Sequence, residues 1–398
     1  MTPAKALADS INVNHNVLNK AIRALGDGAA PIPTDELNWK LFDQICKRCR
    51  LKRGGVRGHL KYRDCSVFFI MTKLTSAQIN HFEKEGYLVV EGLFDPVKDL
   101  DPIIEEYTGV LDRLASELYA KGIISSTHAG QPFGERFIRI SLEGKKTFSQ
   151  HFDFSLPQKG IREDTPMWVG PAVFRMLRTE RLLNAVENII GPEIYSNPVQ
   201  HVRLKLPEGR TVRDATGGNA DAATPWHQDN GVVLPDADET DILTVWFPLW
   251  DAPVEAGCLQ VLPRSHKRGL LDHCPLQPTG ALRIPEKILI EPNRTKAIGV
   301  PLKRGDALFM HRLTCHAALP NISNNMRGSM DLRYNPIGQT TGRGAFPGFV
   351  ARSRAHPETE LHDAKAWAQM WHDARQALAK ASEPARFNRW DPKASVCA

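Results

Sequence analysis

The sequence predicts a mainly β fold with helices packed outside it, and three observations carry that expectation. Between Ile194 and Pro336, seven short apolar runs are separated by Gly, Pro, Asn and Asp, the texture of strands and turns in a sandwich or barrel. On either side of that region apolar residues recur at helical spacing instead. The composition, 42% apolar and 24% charged over 398 residues, is that of an ordinary globular chain able to bury a sizeable core.

Residues 1–70 are read as a basic N-terminal extension. Ser76 to Gly86 then reads as a helix with a hydroxyl at its start and a glycine at its end. Tyr87–Phe94 follows as a buried strand. Leu100, Ile103, Ile104, Tyr107, Leu111, Leu114 and Leu118 mark one face of an amphipathic helix over 96–120. Ala172–Ile190 reads as a single helix stopped by Gly191-Pro192. The stretch between these helices, 125–168, is polar and reads either as a lid or as an irregular surface connection. The strand runs are 194–206, 241–250, 258–263, 287–290 (Lys-Ile-Leu-Ile), 299–302, 306–313 and 329–334. A last helix is expected from Glu358 to about Ala381, with a tail over 386–392. The expected organisation is the extension 1–70, a β domain over 71–345, and a C-terminal helix and tail over 346–398 packing on the core.

Charge and cysteine content narrow the partners. Residues 1–70 hold 12 Lys/Arg and 6 Asp/Glu, the whole of the formal +6. The main body is therefore neutral, and no nucleic-acid partner is expected of it. No apolar run approaches the roughly 20 residues needed to cross a bilayer, and residues 1–30 lack the order of a secretory signal. Of the seven cysteines, Cys65, Cys258, Cys274 and Cys397 stand far from any other, which does not look like a disulfide framework. A reducing, cytoplasmic compartment is expected, with no membrane partner.

The chemistry-bearing residues lie in the β region. His227-Gln228-Asp229 puts an imidazole and a carboxylate two residues apart, on one face of an extended chain and about 6–7 Å from each other along it. Alone, that pair is common by chance. A second cluster strengthens it: Gly305-Asp306, an apolar run, then His311 and His316. The two histidines have opposite parity, so in an unbroken strand only one joins the site, and parity does not choose between them. Two imidazoles and a carboxylate leave positions open on an octahedral metal, the arrangement of non-haem Fe(II) oxygenases. Arg327 lies 11 residues beyond His316, across a turn-like Pro320–Asn325 segment. Its planar guanidinium suits the distal carboxylate of a keto acid chelated to that metal. Arg333 shares its parity, but about 20 Å of strand separates them, so only one is expected to reach the co-substrate.

These residues stand in three ordered motifs: Trp226–Asp229; Ala256-Gly257-Cys258-Leu259-Gln260-Val261-Leu262-Pro263-Arg264-Ser265-His266-Lys267; and Gly305–Arg327. With the opening at 82–94, the chain resembles the phytanoyl-CoA dioxygenase family, of the Fe(II)/2-oxoglutarate oxygenase superfamily, over about 74–340. The resemblance implies a double-stranded β-helix (jelly-roll, cupin-like) core, with His227, Asp229 and His316 as iron ligands and Arg327 on 2-oxoglutarate. It also implies that Gln228 contacts the co-substrate and that Trp246 is the aromatic beside it. The implied reaction consumes dioxygen, releases succinate and carbon dioxide, and oxidises an unactivated C–H bond of a small organic substrate. Because Asp229 is kept, hydroxylation or desaturation is implied rather than halogenation. One departure stands out: Ala317-Ala318 follow His316 where the family often has Gly-Ser, so a hydroxyl on the co-substrate carboxylate has to come from elsewhere, for example Ser329.

Other residues receive plainer readings. Ser265-His266 lacks the acid and elbow of a hydrolase and reads as a turn. Cys46-x-x-Cys49 with His59 and Cys65 matches no zinc template. Arg203, Lys205 and residues near 130–165 are candidates for the substrate pocket. Two rival functions remain: a cupin-type metalloenzyme that does not use 2-oxoglutarate, against which Arg327 argues, and a catalytically silent binding protein, against which the full ligand set argues.

Overall fold

A computed structural model of the chain describes residues 73–210, 212, 223–276, 281–289 and 296–397. The basic extension expected over 1–70, with its Cys46–Cys49 pair, lies outside them. Helix α1 (Ser76–Glu85) is capped by Thr75 rather than Ser76. The Thr75 hydroxyl accepts from the Gln78 amide, and the Gln78 side chain accepts from the Thr75 amide. Gly86 closes the helix in the left-handed conformation, φ 82°. Strand β1 (Tyr87–Val90) is shorter than the apolar run, because the chain turns at Gly92. A π-helical turn (Pro96–Leu100) leads into α2 (Asp101–Ala120), which buries Ile103, Tyr107, Leu111, Leu114 and Leu118 as the periodicity requires.

The 125–168 stretch is not an irregular surface connection. It contains helix α3 (Phe133–Glu143), and Phe148, Phe152, Phe154 and Leu156 beyond it are 0–2% exposed. Phe152 meets Tyr107, Phe133 and Phe137 edge to face. Isolated aromatics among polar residues anchor this segment, a pattern without a period for the eye to follow. The expected 172–190 helix is two, α4 (Pro171–Leu177) and α5 (Glu180–Ile190). Between them the Arg178 and Thr179 amides bond three residues back, to Arg175 and Met176, and tighten the chain into a turn.

Then come β2 (Ile194–Lys205), β3 (Leu243–Pro248), β4 (Leu259–Val261), β5 (Cys274–Pro275), β6 (Leu282–Arg283), the short α6 (Glu286–Leu289), β7 (Ile298–Val300), β8 (Ala307–His311), β9 (His316–Ala318), β10 (Arg327–Pro336), β11 (Phe349–Arg352) and α7 (Ala364–Lys380). Of the Lys287–Ile290 run expected as a strand, Lys287–Leu289 fall in α6 and Ile290 lies outside the described residues. Pro285 precedes that turn, and the Ile288 and Leu289 amides bond back to its carbonyl. A six-stranded antiparallel sheet has the order β1-β8-β3-β10-β2-β11, and a three-stranded one the order β7-β4-β9. From β3 to β10 the chain passes between them: β3, β8 and β10 lie in the large sheet, and β4, β7 and β9 in the small one. That alternation is the double-stranded β-helix.

The two faces of the large sheet differ. Val202, Leu204, Val245, Phe247, Phe309, Met330 and Leu332 join the helices in the main core, each full burial contributing about 1.5–3 kcal/mol. On the opposite face Trp246, Leu308 and Met310 pack with Leu259, Val261 and Ala318 of the small sheet. That inner face also carries Arg327, Ser329 and Asp331 on β10, in register with Lys205, Arg203 and His201 on β2. Thr244 and Trp246 of β3 stand opposite Arg333 and Asp331. Period-two alternation thus keeps the outward face apolar and brings these polar residues to the inner face, beside the apolar contacts with the small sheet.

Among the described residues no helix is long and apolar enough to cross a membrane. Cys274 and Cys397, 123 residues apart, form a disulfide. This corrects the expectation that the cysteines are unpaired, and removes the ground on which a reducing compartment was expected. A pairing over that distance leaves no spacing signal in the sequence.

Candidate metal centre and co-substrate pocket

His227 and His316 meet as an antiparallel bridge in which each amide donates to the other's carbonyl at 3.0 Å. Directly opposed residues of such a pair project to one side, and the two ring centroids are 4.2 Å apart. Gln228 is extended, φ −116° and ψ 143°, which returns Asp229 to the face of His227 before the chain turns at Asp229–Val232. The donor atoms offered by His227, Asp229 and His316 all lie within 4.8 Å of one another. Nε2 of His227 is 3.9 Å and Nε2 of His316 is 3.8 Å from Asp229 Oδ1.

The backbone fixes which nitrogen of each ring carries its proton. Nδ1 of His227 is 2.9 Å from the Pro225 carbonyl, and Nδ1 of His316 is 2.9 Å from the Thr314 carbonyl. A carbonyl only accepts, so both Nδ1 atoms donate, and the Nε2 atoms are the ones nearest Asp229. Burial first, and then the neighbouring His316, hold His227 well below the ordinary imidazole range, in its neutral form.

Asp229 is fully buried. Thr244 Oγ1 donates to its Oδ2 and Arg333 to its Oδ1. Burial pushes the carboxyl upward, but Arg333, the two histidines and Thr244 outweigh it and hold the group well below the usual carboxylate range. Arg333 also donates to the Val199 carbonyl at 2.6 Å and reaches Asp331 at 3.3 Å. Two imidazole nitrogens and one anionic oxygen, with donor atoms all within 4.8 Å of one another, fit a divalent iron with positions left open.

Arg327 is the opposite case. It is 2% exposed, its Nη1 donates to Ser329 Oγ, and its Nε has no partner among the described residues. The guanidinium lies over the Trp246 ring, 5.5 Å from its centroid. Burial, with the charge of Arg203 beside it, lowers its pKa to about 10. A buried cation without an anion is costly, and the chemistry that relieves it is a carboxylate. Arg203 itself is exposed on the same face, whereas Lys205 is buried and its Nζ donates to Thr224 at 2.9 Å.

Gln228 has its side chain committed to backbone. Its Nε2 donates to the carbonyls of Gly269 and Leu313, and its Oε1 accepts from the Leu271 amide at 2.7 Å. With its side-chain amide engaged three times by backbone, it ties together the loops at Gly269–Leu271 and Leu313. His311 stays outside the triad, its ring tilted against that of His266 with centroids 5.1 Å apart. Parity could not choose between His311 and His316 because β8 ends at His311 and the chain crosses to the small sheet before β9. Ser265 Oγ accepts from the Cys315 amide at 2.8 Å, and so fixes the residue before His316, a structural use of the Ser-His pair. Thr244, Arg333 as partner of Asp229, and His273 were not anticipated. His273 Nε2 accepts from the Gln228 amide at 2.9 Å. Opposition to Arg333 across β3 and β10 could have singled out Thr244; nothing in the sequence singles out His273.

Comparison with known proteins adds the following. The family model described as phytanoyl-CoA dioxygenase matches residues 82–329. A zebrafish (Danio rerio) phytanoyl-CoA dioxygenase domain-containing protein 1 is 25% identical over 272 residues, 65% of this chain and 88% of the relative. A 1-deoxypentalenic acid 11-beta-hydroxylase of Streptomyces exfoliatus is 29% identical over 289 residues, again 65% and 88%. Among solved structures, a non-heme alpha ketoglutarate dependent epimerase of nogalamycin biosynthesis is 20% identical, with 65% of this chain and 82% of that one covered and a TM-score of 0.39.

Proposed function

The chain belongs to the phytanoyl-CoA dioxygenase family of 2-oxoglutarate-dependent non-haem iron oxygenases, and on that premise we propose that His227, Asp229 and His316 hold its Fe(II) and Arg327 its co-substrate. The observation that carries this reading is the pair of carbonyl-fixed imidazoles whose Nε2 atoms are the ones nearest Asp229. When bound, Fe(II) and 2-oxoglutarate activate dioxygen, with release of succinate and carbon dioxide. The protein's share is placement. Thr244 and Arg333 hold the Asp229 carboxylate ionised and in one orientation. Arg327, propped by Ser329 and seated on Trp246, takes the distal carboxylate and sets how far the keto acid reaches toward the metal. The inner sheet face packs against the small sheet, and Asp229, His316 and Arg327 are nearly closed to solvent.

The substrate is a small molecule, and the reaction we favour is hydroxylation of an unactivated C–H bond. Asp229 would hold the metal as a carboxylate, which favours hydroxylation over halogenation. Arg203, exposed on the same face as Ser329, offers a place for an acidic group on the substrate. The test needs no substrate: Fe(II) and then 2-oxoglutarate are added anaerobically to the purified protein, and the weak visible charge-transfer band of the chelate is recorded. A band that disappears in His316→Ala supports the whole site. Iron binding without a band would remove the co-substrate reading, and no iron binding would remove the metal site.

A further inference from the structure

The C-terminal tail reaches the turn that carries Asp229. Trp390 Nε1 donates to the Gly231 carbonyl at 2.7 Å, and its ring lies 5.1 Å from that of His273. His273 in turn accepts from the Gln228 amide at 2.9 Å. Asp229 is therefore held on both sides, by His273 before it and by Trp390 after it. Gly231 is required for this closure, since a Cβ there would stand 2.4 Å from the His273 ring. Arg389, beside Trp390, donates through both Nη atoms to the two carboxylate oxygens of Asp238. The residue next to His273 is Cys274, whose disulfide to Cys397 staples the end of the tail to the same loop. Two of these contacts meet the chain on either side of Asp229, at the Gln228 amide and the Gly231 carbonyl.

We propose that the Arg389–Cys397 tail is a positioning strap for the metal centre: the Cys274–Cys397 disulfide holds Trp390 and His273 against the Gln228–Gly231 turn, so metal affinity depends on whether that disulfide is closed. The proposal rests on the reading of Asp229 as a metal ligand. Opening the strap consumes a reductant. A phosphine breaks the Sγ–Sγ bond and becomes phosphine oxide, while water supplies the oxygen atom and both thiol protons.

The experiment measures Fe(II) affinity of the full chain anaerobically, by competition with a chelator and without co-substrate. Oxidised protein is compared with phosphine-reduced protein after removal of the phosphine, and with Cys397→Ser and Trp390→Phe. Reduction and Cys397→Ser are each expected to weaken iron binding about tenfold, the low end of what loss of an outer partner costs a metal site. Reducing Cys397→Ser should change nothing further, which assigns the effect to this disulfide and not to the remaining cysteines. Trp390→Phe keeps the ring against His273 and loses one hydrogen bond, for an expected loss of about fivefold. Amide hydrogen exchange at Gln228–Gly231 should rise in step while β10 stays protected. Unchanged iron affinity in the reduced protein, or free thiols at Cys274 and Cys397 in the oxidised preparation, would overturn the strap and leave the metal site standing. Oxidised protein that binds no iron would overturn both.

Discussion

The two ends of the inner sheet face handle buried charge in contrary ways. At the metal end, Asp229 has both oxygens engaged by Thr244 and Arg333, and each histidine has its Nδ1 fixed by a carbonyl. At the other end, Arg327 has among the described residues one hydroxyl partner and a bare Nε, in a setting that lowers its pKa to about 10. The first end is complete before anything binds, and the second is complete only once an anion arrives. A cluster held in this way is preorganised for a metal. An unsatisfied guanidinium turns the cost of its own burial into affinity for a dicarboxylate.

The largest effects should come from the finished end. His316→Ala removes a ligand outright and is expected to abolish turnover and lower Fe(II) affinity by more than about 100-fold, beyond the usual cost of losing an outer partner. Retained iron affinity in that variant would break the contrast at its root. Arg333→Met leaves a buried carboxylate without its cation, which should destabilise the metal-free protein by about 3–5 kcal/mol. Saturating Fe(II) should recover much of that loss, because the metal supplies the missing positive charge. Chemical denaturation with and without metal decides it, and an equal loss in both states would mean that Arg333 serves the fold rather than Asp229.

Arg327→Met probes the unfinished end. Hydrogen bonds to charged groups are worth about 1.5–3 kcal/mol, so 2-oxoglutarate affinity should fall roughly 10- to 100-fold, with Fe(II) affinity unchanged. The same change should raise the stability of the co-substrate-free protein by about 1 kcal/mol, since it removes a buried, unpaired charge. A variant that lost stability along with 2-oxoglutarate binding would show Arg327 to be a structural cation like Arg333, and the two ends would no longer differ.

How much of this was legible in the sequence depended on how local the signal was. His227 and Asp229 could be paired because period-two parity acts over two residues, and Gln228 is extended as that required. Helix α2 could be placed because its apolar face repeats over 20 residues. His316 could not be told from His311 by parity, because a sheet-to-sheet crossing intervenes and only the ordered motifs favoured it. The contacts of Gln228 were not legible, since its three backbone partners come from two distant loops. The Cys274–Cys397 disulfide and the 145–156 anchor arise from pairings that no short window contains. Thr244 lay between: its strand was expected, but its task appears only when β3 is registered against β10.

The smallest of these effects falls on Ser329, and it sharpens the comparison most. Ala317 and Ala318 offer no hydroxyl, and β9 puts both in the sheet with their neighbours. Ser329 Oγ accepts from Arg327, which leaves its own proton available to a second acceptor. Removing one neutral hydroxyl contact costs about 0.5–1.5 kcal/mol, so Ser329→Ala should weaken 2-oxoglutarate binding roughly three- to tenfold. A keto acid of the same kind without the distal carboxylate discriminates between the two uses of that hydroxyl. If Ser329 works on the distal carboxylate, alone or through Arg327, binding of the shorter acid should be the same in wild type and Ser329→Ala. If the shorter acid weakens equally, Ser329 supports the pocket as a whole, and the hydroxyl missing after His316 has no replacement on β10.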